Sequence, residues 1–110
     1  MKTFGNYING EWMENGATFE NRNPANTDEV VGHFVKGTAA DVDAAADAAA
    51  EAFPKWAGMT APGRANILFA AAEIMDKRFA DIAADMTREE GKTLPEAKGE
   101  VRRAINILKY

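Results

Sequence analysis

The sequence has no cysteine, no serine and a single histidine, His33. Without the first two, thiolate or serine alkoxide attack has no agent here, and His33 has neither to activate. Disulfides and thiolate metal sites are excluded as well, and one imidazole does not make a metal site. Positive charge is short: 13 Lys and Arg stand against 17 Asp and Glu, for a net charge of -4. Nucleic-acid binding needs a basic footprint, so it is not expected. No apolar run approaches the roughly 18 residues that cross a bilayer. The opening residues, Met1-Lys2-Thr3-Phe4-Gly5-Asn6, lack the apolar core of a signal peptide. These absences predict a cytoplasmic protein with neither a nucleic-acid nor a membrane partner. A closing signal is missing too. Residues 104–110 keep helical spacing without Gly or Pro, and no C-cap follows. The expectation is the opening piece of something larger.

What is present fits one small domain. The chain has 110 residues, 46% hydrophobic and 27% charged, as in an ordinary globular protein with a modest core. Alanine, roughly a fifth of the residues, favours helix but fills space poorly. The first third reads as strand. Asn9-Gly10 and Asn15-Gly16 both suit hairpin turns, because Asn and Gly tolerate positive φ. Tyr7-Ile8 and Trp12-Met13 flank the first turn, and a strand over 17–22 follows the second. Residues 23–28, with Pro24 and several Asn and Asp, read as a loop, and 29–36 as a further strand.

Helices then take over. Thr38 is an N-cap, with Asp41 favouring the first turn. Val42, Ala45, Ala46, Ala49 and Phe53 fall on one face, and Pro54 is expected to end that helix at or just past Phe53. Thr60 caps a second helix that tolerates Pro62 in its first turn and ends at Gly91. Its stripe of Ile67, Leu68, Ala71, Ile74, Met75, Phe79, Ile82 and Met86 is broad enough for burial on more than one side. Thr93-Leu94-Pro95-Glu96 is a capping box that opens a third helix running to the chain end. The predicted architecture is α+β: a β-hairpin arm and strand over 1–37, then three packed α-helices over 38–110. The arm has too few strands to stand alone and needs a partner surface.

Candidate chemistry is sparse. Gly91-Lys92-Thr93 resembles the tail of a phosphate loop, but the position five residues before Gly91 is Met86, and the segment follows a helix rather than a strand. It reads as a helix connection. His33 reads as structural or surface-exposed. Asp41, Asp43, Asp47, Glu51, Glu89 and Glu90 read as helix-face charges, since acid–base work by carboxylates would need a pocket. Trp12, Trp56, Phe53 and Phe79 are explained by packing. Arg102-Arg103 stands out, because a guanidinium fork binds carboxylate or phosphate through two parallel bonds. The plainer alternative is a solvated helix face with Glu100 pairing Arg103.

Taken in order, several landmarks resemble the opening of the NAD(P)-dependent aldehyde dehydrogenase superfamily. Tyr7-Ile8-Asn9-Gly10-Glu11-Trp12 resembles its "INGEW" hairpin. Asn23-Pro24-Ala25 followed by Val30-Val31-Gly32 is similar to its "NPA…IG" segment. Asp41-Val42-Asp43-Ala44-Ala45, then Ala48-Ala49, Ala52-Phe53 and Trp56, resembles its first helix, and Arg64 matches an arginine of its second. Glu90-Gly91-Lys92-Thr93-Leu94-Pro95-Glu96-Ala97 with Gly99-Glu100-Val101 is similar to its "E-GK-L-EA-GEV" junction. The landmarks are in register and cover nearly the whole chain.

The resemblance implies the first part, under a quarter, of an enzyme that oxidises an aldehyde to its acid with NAD or NADP. In that family the reactive cysteine, activating glutamate, oxyanion asparagine and cofactor-binding lysine come later. It therefore implies a fragment that is α+β within an α/β enzyme, binds no cofactor and is catalytically inert alone. Its partner would be the remainder of the same polypeptide, in a homo-oligomer, with 38–110 flanking the dinucleotide-binding domain. Thr87 to Arg103 is most similar to members acting on carboxylated semialdehydes such as α-ketoglutarate semialdehyde. In those, an arginine in the "E-V-x-R" helix start helps hold the anionic end, and Arg103 matches it, which makes Arg103 the substrate-binding candidate. Arg102, about 100° further round the helix, should not share that role. A different class of function stays open: an autonomous helical protein-interaction module that uses the apolar second helix as its surface.

Overall fold

Asn9 and Gly10, with φ of 51° and 79°, form the tight turn expected of them. They join β2 (Asn6–Ile8) to β3 (Glu11–Met13) in a two-stranded antiparallel hairpin. Tyr7 lies opposite Trp12, and their rings sit 4.8 Å apart. This is the computed structural model of the chain, and it describes residues 2–110.

A second sheet has the order β1-β5-β4. Central β5 (Val30–Val35) pairs in parallel with β1 (Thr3–Phe4) and antiparallel with β4 (Thr18–Arg22). Phe34 holds this sheet's aromatic face, stacked on Phe4 at 4.8 Å and tilted toward Phe19 at 6.0 Å. Asn15-Gly16 therefore does not join a hairpin, because β3 and β4 belong to different sheets. Of that pair only Gly16 has positive φ, at 101°, whereas a type I′ turn needs it at both residues.

Four helices follow, where the sequence pattern predicts three. The first, α1 (Ala39–Gly58), is opened by a reciprocal cap: Asp41 N–H donates to Thr38 Oγ1 at 3.2 Å, and Thr38 N–H donates to Asp41 Oδ2 at 2.8 Å. It runs straight through Pro54 to Gly58. A proline removes one backbone bond and crowds the carbonyl four residues earlier, yet the helix continues past that local defect. The apolar face expected to be covered is open, with Val42 66% and Phe53 64% exposed.

The predicted second helix is two: α2 (Ala61–Lys77) and α3 (Phe79–Glu90). They break at Arg78, whose φ of -99° and ψ of 13° leave helical geometry. Apolar residues continue in register across the break, so the stripe does not reveal it. Thr60 caps α2 through Gly63 N–H, as expected. Gly91, left-handed at φ 77°, ends α3. The Thr93–Glu96 capping box, complete in both directions, opens α4 (Leu94–Lys109).

The contacts divide the chain into two compact units. One holds the chain through Arg22 together with Val30–Gly58, so α1 groups with the strands; the other holds Asn23–Glu29 with Met59–Tyr110. The helices that pack together are thus α2, α3 and α4, with α4 against both others. Their shared core is Ala72, Ala83, Ala97, Val101 and Ile105, with Met75, Phe79, Ile82, Met86 and Leu108 packed around it. Small alanines let the backbones approach closely.

Candidate functional site

Rotation about α4 separates the two arginines. Val101 and Ile105 face the core. Successive helical residues turn by about 100°, so Arg102 falls on the flank of that buried stripe and Arg103 on the side opposite it. Arg102 is occupied at home. Its Nη1 donates to Asp76 Oδ1 at 2.8 Å, and its guanidinium lies 4.7 Å from the centre of the Phe79 ring. It thereby ties α4 to the α2–α3 junction. Arg103 is exposed and has no hydrogen bond or ion pair among the described residues. The pairing with Glu100 weighed from spacing does not form, because Glu100 Oε1 is 2.6 Å from Lys92 Nζ.

That lysine settles the Gly91-Lys92-Thr93 segment. Lys92 also approaches Glu90 Oε2 at 3.7 Å, and the Glu100 hydrogen bond raises its pKa above the ordinary value. Gly91 fits the connection for a local reason: a Cβ there would stand 2.8 Å from Pro24 Cγ. The segment is a helix-to-helix junction, and its cation is engaged by carboxylates rather than held free for a phosphate.

The remaining candidates are equally local. His33 Nε2 lies 3.8 Å from Glu20 Oε1 on neighbouring strands. Asp41 is spent in the α1 cap. Trp12 is 65% exposed and Trp56 38%; neither is in a core. Sequence reasoning missed a polar lock on the 23–29 loop. Buried Asn23 donates from Nδ2 to Glu29 Oε2 at 3.0 Å, and its Oδ1 accepts from Ala25 N–H at 2.9 Å. Glu29 Oε1 accepts from Arg88 Nε at 2.7 Å, fastening the loop to α3. The Asn-Pro pair signalled the turn, but the partner 59 residues later carried no signal.

The aldehyde dehydrogenase family model matches residues 12–110. The chain belongs to the aldehyde dehydrogenase family. It is 46% identical to the α-ketoglutaric semialdehyde dehydrogenase of Bacillus subtilis across 100% of its own length and 23% of that protein's. It is 44% identical to the α-ketoglutarate semialdehyde dehydrogenase of Haloferax volcanii, over 96% of this chain and 22% of that one. A 1-pyrroline-5-carboxylate dehydrogenase from Thermus, solved with bound NAD, superimposes with a TM-score of 0.94 at 33% identity, covering 99% of this chain and 21% of that one. The chain thus spans under a quarter of these aldehyde dehydrogenases. The strands-then-helices architecture is that of the matching part of the aldehyde dehydrogenase fold.

Proposed function

We propose that this chain is the opening portion of an NAD(P)-dependent aldehyde dehydrogenase that oxidises a carboxylated semialdehyde to the corresponding acid. Aldehyde, water and NAD(P)+ would yield the acid, NAD(P)H and a proton. The nucleophile must come from outside these residues, since the 110 include no cysteine; the cofactor site must as well. The chain alone is non-catalytic. The parent is a cytoplasmic homo-oligomer in this reading, and residues 38–110 flank its dinucleotide-binding domain. No helix among the described residues is long and apolar enough to cross a membrane.

The observation that carries the substrate class is the unengaged guanidinium of Arg103. An exposed cation fork on the face of α4 away from its core suits the carboxylate end of an acidic aldehyde. The relatives named for carboxylated semialdehydes point the same way. The test is Arg103→Ala in the full-length polypeptide. The Michaelis constant for α-ketoglutarate semialdehyde should rise roughly ten- to hundredfold, the loss of a charge-assisted hydrogen bond, while that for pentanal stays unchanged. An unchanged constant for every acidic aldehyde removes Arg103 from the site.

The open apolar residues of α2, Ile67 at 49% and Ile74 at 52% exposure, favour the second reading, a protein-interaction module without enzymatic activity. A reading frame that stops after Tyr110 would support it. Several hundred further codons would support the enzyme.

A further inference from the structure

The dipeptide Asn-Gly occurs twice in this chain, at Asn9-Gly10 and Asn15-Gly16. All four residues are exposed, and a Cβ at either glycine would meet nothing within 4 Å. Solvent reaches both pairs, but their backbones are held differently. Asn9 and Gly10 are the central residues of a closed turn. Ile8 pairs with Glu11 directly beyond them, Tyr7 with Trp12 and Asn6 with Met13 brace the ladder, and φ of 51° and 79° puts both turn residues in the left-handed region. Residues 14–16 have no such frame. β3 ends at Met13, and the next backbone bond comes where Lys36 N–H donates to the Ala17 carbonyl at 2.8 Å. Between those points there is neither helix nor strand. Neither Asn15 nor Gly16 has a hydrogen bond or ion pair among the described residues.

Asparagine followed by glycine carries an intrinsic reaction. The glycine backbone nitrogen, unshielded by a Cβ, attacks the asparagine side-chain carbonyl carbon. The N–Cγ bond forms, the Cγ–Nδ2 bond breaks, and ammonia leaves with the amide proton. Water then opens the five-membered imide at either carbonyl, giving aspartate or isoaspartate. Nothing is oxidised or reduced, and water is the sole co-reactant. Ring closure swings ψ of the asparagine far from its value in a type I′ turn, so a braced turn must open first and a free connector need not.

We propose that Asn15 is a site of spontaneous covalent modification, converting through a cyclic imide with Gly16 to aspartate and isoaspartate, while its turn protects Asn9. The product adds one negative charge beside Glu14. The isoaspartyl form also routes the main chain through the side chain, lengthening the link between the hairpin and β4 by one methylene. It exposes the free α-carboxylate that an S-adenosylmethionine-dependent isoaspartyl methyltransferase methylates.

Full-length polypeptide aged at physiological temperature in mildly alkaline buffer, beside a sample aged in urea, tests this. Conversion is read at each asparagine by peptide mass mapping, and isoaspartate by methyl transfer from that methyltransferase. In native protein Asn15 should convert, with Asn9 at least about tenfold slower, the ratio that roughly 1.4 kcal/mol of turn opening supplies. In urea the two should convert at similar rates. Asn15→Gln, whose attack would need a less favourable six-membered ring, should remove most of the methyl-acceptor signal from native protein. An Asn15 that stays intact in native protein while it converts in urea overturns the proposal, as does a native Asn9 that converts as fast as Asn15. If Asn9 lags equally in urea, its sequence neighbours and not the turn spare it, and the assigned protection is overturned.

Discussion

The Glu29 carboxylate accepts one hydrogen bond from Asn23 and one from Arg88, at 3.0 and 2.7 Å. Together they hold its pKa below the ordinary 4.5, the Asn23 bond contributing most and Arg88 next. A value depressed in the folded state means that the unfolded chain takes up the proton first as pH falls. The stabilisation is therefore complete above about pH 4.5 and disappears as pH drops through the lower, folded value. Denaturant midpoints measured from pH 6 to 2 should fall in that acidic window, and Glu29→Gln should flatten the fall. Lys92 runs with the opposite sign. The Glu100 hydrogen bond raises it above 10.5, so its contribution is whole below that pH and is lost as pH climbs through the raised value. Lys92→Met should flatten the alkaline limb alone. Both effects are modest because water reaches both groups. Of these pairings the sequence shows only the short-range kind. Arg102-Arg103 is visible as a pair, and the 100° rotation separates their positions on the helix. That Asp76 and Phe79 occupy Arg102, and that Lys92 takes Glu100 away from Arg103, depends on helices brought together by folding.

Three of the four helix starts are legible and the interruption is not. Those three are each written within four adjacent residues: Thr38 with Asp41, Thr60 with Gly63, and Thr93 with Glu96, whereas α3 opens at Arg78 with no side-chain cap. The hairpin at Asn9-Gly10 is equally local. Interruption does not follow residue type. At Pro54 the chain stays helical despite the residue most hostile to it, and at Arg78 it breaks without Gly or Pro. β1, two residues long, is strand only because β5 runs beside it, so no periodicity betrays it. Two outcomes follow. Thr93→Ala should cost about 1 kcal/mol, as the loss of an N-cap does, seen as a lower denaturant midpoint. Pro54→Ala should restore the backbone bond missing within exposed α1. It should raise helical circular dichroism and stability, by up to about 3 kcal/mol, the helix-interior difference between the two residues.

The core of the second unit is small for the apolar surface the chain carries. Its five fully buried side chains include three alanines, and only Ile105 and Val101 bring bulk. Meanwhile Tyr7, Trp12, Phe53, Ile74 and Ile107 are each more than half exposed. Proteins stable as monomers seldom leave so many large apolar side chains in water. The relatives, four times longer or more, have chain to spare for covering them. The 110 residues alone have only other copies. Sedimentation velocity from micromolar to near-millimolar concentration should therefore show association that grows with concentration. Ile107, 61% exposed on α4 and outside the buried stripe, offers a clean probe. Ile107→Glu should weaken the association while leaving the melting temperature close to wild type, because no core contact is lost. Ile105→Ala, by contrast, opens a cavity against the alanine-lined core and should cost about 2–5 kcal/mol, enough to unfold a domain this thinly packed. A sharp monomer boundary for the unmodified chain at the highest concentration would refute the argument, since the exposed apolar face would then be tolerated by water without cover.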